Sequence, residues 1–379
     1  MRISGKSAAS KPSTALTYYY RQLIIAVFLL QSFFALVCSA QEVVPAFDAG
    51  AISSGQGRFA KGQTESTPST ALSASGGSAI AQNNLACRYI RAEEVSSDLQ
   101  QAKKLFVAAA AQGLMAAEYN LGVLYEGGLG VAQDYAAAAN HYRAAAEQGH
   151  ALAQGRLGLL YENGWGVARS NSEAMKWYRA AAEQGEPSAQ SKLADEYFQG
   201  VGRPRDYKQA EKWYRRAAEE GFGPAQNNLA ALYHHGLGVK TDYPQALYWY
   251  RKAAETGIPQ AANGLGVMYQ DGLGVNRDFQ QAATWFRKAA EQGDVQGQFD
   301  LANLYMAGRG VPLDYVRAYF WYSLAASSGD NLSALQLKQL RKLMTPHQVT
   351  DAQTLIADWR PAQPPVESKL HDELPSLRH

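Results

Sequence analysis

The chain has 379 residues, 18% of them charged and 46% hydrophobic, with a net charge of +2, a balance that gives it no strong electrostatic claim on nucleic acid or membrane surfaces. Two cysteines, Cys38 and Cys87, exclude a disulfide framework or a cysteine-ligated zinc site. His141, His150 and His234 fall in different segments and His235 merely adjoins His234, which is the wrong spacing for a local metal-ligand pair.

At the N-terminus, Arg2, Lys6, Lys11 and Arg21 precede a mostly apolar run from Leu23 to Val37 that ends before Cys38-Ser39-Ala40. A basic start, a short apolar core and a small-residue exit predict a signal peptide over 1–40, cut after Ala40, and hence a periplasmic or secreted protein. Cleavage would leave Cys87 as the sole cysteine. The run is shorter than the roughly 20 residues of a membrane span, yet the long basic region keeps open an uncleaved inner-membrane anchor with the following residues in the periplasm. Residues 41–76 turn to Ala, Ser, Gly and Thr, which cannot bury enough apolar surface to fold alone and read as a flexible linker.

From there a Gly returns every 36 residues, at Gly77, Gly113, Gly149, Gly185, Gly221, Gly257, Gly293 and Gly329. A second marker, Gly-x-Gly-Val, recurs at Gly128/Gly130, Gly164/Gly166, Gly236/Gly238, Gly272/Gly274 and Gly308/Gly310; one unit reads Gly200-Val201-Gly202-Arg203, and the first has Ala92 and Glu94 in these places. A fixed period of this size predicts an all-α solenoid of seven helix–loop–helix repeats over 78–329. Two Gly positions per unit mark two helix ends. In helix A, Ala117, Leu121 and Tyr125 and their counterparts four residues apart form the core face, and the Gly or Ala after each Leu lets a neighbouring backbone approach. Cys87 shares a column with Val123, Leu159 and Val267, which makes it a small buried hydrophobe or else an exposed, pairing thiol.

Helix B opens with capping-box signals at Asp98/Gln101, Ser170/Glu173, Asp206/Gln209, Asp242/Gln245 and Asp278/Gln281. Its stripe, illustrated by Ala174, Trp177, Tyr178, Ala181 and Ala182, predicts burial, and it carries Trp177, Trp213, Trp249, Trp285 and Trp321 in one column. Arg143, Arg179, Arg215, Arg251 and Arg287, each four residues before a Glu, predict a solvated face of weak i,i+4 pairs. The last repeat loses this pattern at Ser323, Leu324 and Ser327, which implies a covered outer side. Helices over Leu332–Met344 and from Thr345-Pro346-His347-Gln348 to Trp359 supply the cover, a C-terminal helical cap over 331–360. The Pro-rich segment 361–379 predicts a disordered tail, and its internal His371-Asp372-Glu373-Leu374 is not a retention signal because those are read only at a chain end.

The combined pattern, Ala-Gln-x-x-Leu-(Gly/Ala)-x-x-Tyr, Gly-x-Gly-Val and Asp-Tyr-x-x-Ala-x-x-Trp-Tyr-x-x-Ala-Ala-Glu-x-Gly, resembles the Sel-one-like repeat family, relatives of tetratricopeptide repeats. The resemblance implies a right-handed α/α superhelix that serves as an adaptor for protein complexes, often in the bacterial envelope, with helix A lining its concave side. It implies no catalytic residues and no cofactor. A Cys-rich branch is associated with β-lactam chemistry, but Ser-x-x-Lys, Gly-x-Ser-x-Gly and the paired cysteines are missing here. A non-enzymatic scaffold for a partner protein is therefore expected, with a cell-wall glycan or lipid binder as the alternative and a β-lactamase-like hydrolase less favoured. Candidate contacts are the helix A positions where repeats disagree. One column holds Asn120, Arg156, Lys192, Asn228, Gly264 and Asp300, and another Glu126, Glu162, Phe198, His234, Gln270 and Met306. Arg156 and Lys192 would meet acidic groups and Phe198 an apolar anchor. Trp165, between the Gly pair of its loop, joins them because no repeat position requires it to be buried.

Overall fold

The computed structural model describes residues 77–91, 98–200 and 204–360. The predicted signal segment, the linker, Ala92 and Glu94, Val201-Gly202-Arg203 and the tail with its His371-to-Leu374 stretch lie outside the described residues.

No strand occurs among the described residues. The first helices of successive units are α1 (Ala79–Arg91), α3 (Met115–Gly127), α5 (Ala151–Asn163), α7 (Pro187–Gln199), α9 (Gly223–His235), α11 (Pro259–Asp271) and α13 (Val295–Ala307). Their partners are α2 (Leu99–Ala110), α4 (Tyr135–Glu147), α6 (Asn171–Glu183), α8 (Tyr207–Glu219), α10 (Tyr243–Glu255), α12 (Phe279–Glu291) and α14 (Tyr315–Ser327), followed by α15 (Asn331–Leu340) and α16 (Pro346–Asp358). Both sets start every 36 residues, the period of the glycines. The chain divides into two compact bodies, one ending at Ala174 and one beginning at Met175. Within them, chain neighbours pack together, as α3 on α4 and α4 on α5 in the first, and α7 on α8 through to α14 on α15 in the second. This is the all-α, paired-helix solenoid class that the repeat predicts.

Local chemistry sets the helix ends. The Asp134 carboxylate accepts from the backbone N–H groups of Ala136 and Ala137 at 2.9 and 3.0 Å, and Asp98, Ser170, Asp206, Asp242, Asp278 and Asp314 do the same for their helices. The reciprocal half of the expected capping box does not form at Asp206, Asp242 and Asp278. The N-cap N–H of Asp134, Ser170, Asp206, Asp242 and Asp278 instead donates to the carbonyl of the helix A tyrosine nine residues earlier, Tyr125, Tyr161, Tyr197, Tyr233 and Tyr269. That bond clamps the loop shut. Thr345 and Gln348 of α16 form the complete box.

The two loop glycines have different reasons. Gly164 ends α5 in the left-handed conformation, with its N–H on the Leu160 carbonyl. Gly166, also at positive φ, sits against the start of α4, where a Cβ would overlap the Tyr135 carbonyl group. The small residue of helix A answers to a ring and not to a backbone: a Cβ on Gly122 would lie 2.5 Å from Tyr142. The cores follow the predicted stripes, with Leu121, Leu124, Tyr142, Leu157 and Leu160 sealed in the first body and Tyr214, Leu229, Phe286, Leu301 and Tyr322 in the second. Two expectations shift. Trp249 and Trp321 are buried, but Trp177, Trp213 and Trp285 are only half-buried, with Lys176, Arg216 and Lys288 over their rings. Cys87 is buried, as its helix A column predicts, which removes the exposed-thiol alternative; Cys38 lies outside the described residues.

Helix α15 stops at Leu340, short of Met344. Leu337, Met344, Ile356 and Trp359 pack against the core that includes Phe320 and Trp321, with Leu324 of α14 beside them, while Ser327 stays exposed.

Candidate functional site

Polar side chains tie the helices together in three recurring ways, and these determine which residues remain for a partner. The first uses the Ala-Gln of helix A. Gln154, Gln190, Gln226 and Gln298 donate to the carbonyls of Ala146, Ala182, Ala218 and Ala290 in the last turn of the preceding helix B, which satisfies acceptors that a helix end leaves orphaned. Where the Gln is replaced by Ala262, the equivalent carbonyl, that of Ala254, receives the ammonium of Lys288 at 3.1 Å.

The second uses the arginine column. Arg143 donates to the Tyr161 hydroxyl at 3.0 Å, Arg287 to Tyr305 at 3.0 Å, and Arg215 to Tyr233. The expected pairs with Glu four residues later are not what holds these guanidiniums; Arg215 pairs with Glu211, four residues before it. A hydroxyl on the neighbouring helix fixes the side chain better than a carboxylate on an exposed flank.

The third links helix B to the variable columns of helix A, and here several candidates prove internal. The Tyr142 hydroxyl donates to Glu126 at 2.5 Å, and Arg156 donates to the other Glu126 oxygen at 3.2 Å. Arg156 and Glu126 are 3% and 5% exposed, so this ion pair is part of the core and not a solvated face. Burial works against the Arg156 charge, but Glu126 and then the Tyr142 and Tyr119 hydroxyls outweigh it and hold its pKa above the ordinary value. Asn120 is likewise sealed, donating to Asn83 at 2.9 Å. Placing Asn120 and Arg156 on a non-core face is therefore corrected: the acid that Arg156 meets is its own chain's. Trp165 is half-buried, with its ring 5.4 Å from that of Tyr135. Its loop has a packing role after all.

In the second body the candidates stay accessible in part. Phe198 and Asn228 line one cleft of about 220 Å³ together with Asp195, Gln199, Tyr214 and Ala231. The Tyr214 hydroxyl donates to Asp195; burial first, then the Asp195 charge, push its pKa far up, and Asn228 opposes the shift. Phe198 meets Tyr207 edge-on at 5.3 Å. Lys192, six residues before Phe198 on α7 and half-buried, places its ammonium 6.0 Å from the Tyr178 ring centre. His234 stacks on His235 at 4.5 Å, and burial, then His235, lower its pKa against the pull of Asp271. Asp300 accepts from Asn263 and Gln296, both at 3.1 Å; burial, with Asp271, raises its pKa, and these hydrogen bonds oppose the rise. Of the expected set, Phe198 and Asn228 come together, while the others occupy separate places along the repeats.

Sequence reasoning missed a larger cavity, about 690 Å³, between α12, α14 and the end of α16, lined by Arg287, Arg317, Phe320, Trp321, Trp359 and Arg360 among others. The signal was present in the loss of the charged pattern at the last repeat, but it was read only as coverage. No group of His, Cys, Asp and Glu fit for a metal ion occurs among the described residues, and no described helix is long and apolar enough to cross a membrane.

The Sel1 repeat signature matches seven consecutive stretches, residues 79–114, 116–150, 151–186, 187–222, 223–257, 259–294 and 295–330. A crystal structure of a Sel1 repeat protein from Oxalobacter formigenes is similar, with 34% identity, 72% of this chain and 78% of that one covered, and a TM-score of 0.56. The c5321 antigen of uropathogenic Escherichia coli, described as having an SLR fold, is 28% identical over 81% of this chain and 97% of its own, with a TM-score of 0.40. No curated protein sequence matches. Seven matched units, each carrying a pair of helices, place this chain in the Sel1 repeat family.

Proposed function

We propose that the chain is an exported scaffold of the bacterial envelope that holds a partner protein on its helix A side, the side the family's superhelix makes concave. Sel1 repeat proteins are generally protein–protein interaction scaffolds and typically non-catalytic. The observation that carries the finer reading is the cleft at Phe198 and Asn228, with an apolar wall, a hydrogen-bonded Tyr214–Asp195 pair and Lys192 on the same helix as Phe198. An apolar anchor beside a few fixed polar groups is the usual composition of a protein-contact hot spot. The partner's segment places an apolar side chain against Phe198 and an acidic group near Lys192.

Crosslinked cells give the test. Capture with the Lys192→Glu, Phe198→Ala double variant is expected to lose a partner that the unaltered chain retains, and equal recovery by both would overturn the helix A reading. Arg156 stays out of the variant because its replacement would strip a buried carboxylate of its counter-ion. Export is supported by the basic and apolar N-terminal sequence. N-terminal sequencing of the protein from a periplasmic extract is expected to begin at Gln41; a chain found only in the cytosol would remove the envelope assignment.

A further inference from the structure

We infer that the partner's segment runs on from the Phe198 cleft along α9 and α11 and sets a lysine or arginine side chain against Asp300 and Asp271; this rests on the helix A reading and adds the chemistry of the segment's far end. The helix B tyrosines show where the chain leaves a gap. Tyr142 donates to Glu126, Tyr214 to Asp195 and Tyr322 to Asn303. Tyr250 does not follow. Its unit has Ala231 at the position of Asp195 and Asn303, and His234, in the place of Glu126, meets it edge-on with ring centroids 6.2 Å apart. The Tyr250 hydroxyl makes no hydrogen bond among the described residues, although the residue is only 6% exposed. Burial alone pushes its pKa up to about 12. Its ring lies against Gly264, where a Cβ would come within 2.8 Å of Cζ, so that position supplies no side chain to it. Leaving a buried donor unpaired is costly, and an acceptor brought by a partner removes that cost.

Beside Gly264, the Asn263 amide donates to one oxygen of Asp300, Oδ2, as does that of Gln296. The other oxygen, Oδ1, accepts from no described residue. Burial, and then the Asp271 charge, raise the Asp300 pKa, and burial, and then the Asp300 charge, raise that of Asp294 at the start of α13. No cation acts on either group, and none of the three acids forms an ion pair among the described residues. Arg277, in the loop after α11, is exposed and pairs with none of them. Carboxylates that repel one another without a counter-ion favour a cationic occupant and disfavour an anion. The acids lie two units beyond the Phe198 cleft, about 20 Å if packed helices are roughly 10 Å apart, which about six residues of extended chain span. A base at that remove from the apolar anchor reaches Asp300, and a backbone carbonyl between them accepts from Tyr250.

Random dodecapeptides displayed on phage, panned on the full chain, supply the probes, and enriched sequences are remade with fluorescein for anisotropy. They are expected to carry Lys or Arg about six residues from an apolar side chain. Asp271→Asn with Asp300→Asn is expected to weaken their binding at least tenfold; the amide oxygen at position 300 keeps the Asn263 and Gln296 bonds, so the melting temperature does not fall. Replacing the peptide's base by Gln should weaken binding to the unaltered chain by the same factor and to that variant no further. Tyr250→Phe should weaken binding severalfold without lowering the melting temperature, since nothing within the described chain uses its hydroxyl. Enriched peptides that depend on Lys192 and Phe198 but lack a base, or that bind the Asn variant equally, would overturn the contact with the acids and leave the helix A reading intact. Peptides indifferent to the Lys192→Glu, Phe198→Ala change would overturn that reading itself, and no enrichment at all would overturn both.

Discussion

At the scale of single residues, the repeat is held by contacts that tolerate little change. Gly164→Ala should cost about 1 kcal/mol, the price of a left-handed alanine. Gly166→Ala carries the same backbone cost and in addition drives a methyl into the Tyr135 carbonyl, so it should cost at least about 2 kcal/mol more. Urea unfolding of the two variants side by side checks the order, and equal midpoints would show that the loop yields. Arg156→Ala leaves Glu126 charged among buried groups and should destabilise by about 3–5 kcal/mol, whereas Arg156→Met with Glu126→Leu should recover most of that loss. A double variant no better than the single would mean that the pair is not the dominant interaction. His150 gives a pH prediction. Its Nδ1 caps α5 by accepting from the Ala153 N–H at 3.2 Å, its ring stacks on Tyr119 at 4.8 Å, and burial lowers its pKa to about 4. Between the unfolded value of 6.5 and about 4, the unfolded chain binds a proton that the folded chain refuses. Stability contributed here is therefore full above pH 6.5 and is lost as pH falls towards 4, by roughly 3 kcal/mol at most. His150→Asn keeps a capping acceptor without a titration and should flatten that part of the pH–stability curve.

At the scale of elements, the ends of α4, α6, α8, α10 and α12 are each closed by a side chain from another helix. Gln226→Ala removes the donor to the Ala218 carbonyl and should cost about 1 kcal/mol. Lys288→Ala should cost a similar amount through the Ala254 carbonyl. Thermal melts of both variants, with the exposed Lys212→Ala as the reference, check this; a Lys288→Ala melt identical to the reference would show that water replaces the ammonium. The substitution pattern explains itself physically. The acceptor is fixed by the helix end, so a unit that loses its Gln needs another donor within reach.

At the scale of each body, helices pack chiefly on near neighbours in the chain. Stability in such arrays sums over units and the interfaces between them. Amide exchange should therefore respond locally: Gln226→Ala is expected to speed exchange in α8 and α9 and leave α13 and α14 within about twofold of the unaltered chain. Uniform loss of protection through the second body would instead indicate a single cooperative unit.

The 36-residue period, the helix ends, the N-caps and the buried stripes follow from residue type and spacing, because caps, glycine conformations and amphipathic faces are local matters, and the sequence alone carried them to the family. The site was less legible. Asn120 and Arg156 vary between repeats as solvated residues do, yet they are buried, because variation at one column is matched by Asn83 and Glu126 in the preceding unit and only the packed structure shows the match. Phe198 and Asn228 share a cleft because α7 and α9 flank Tyr214 of α8, a relation across 30 residues that no single helix pattern encodes. The cap cavity belongs to the tertiary structure for the same reason: Arg287, Trp321 and Trp359 come from three helices, and only their packing decides that the cover leaves a space.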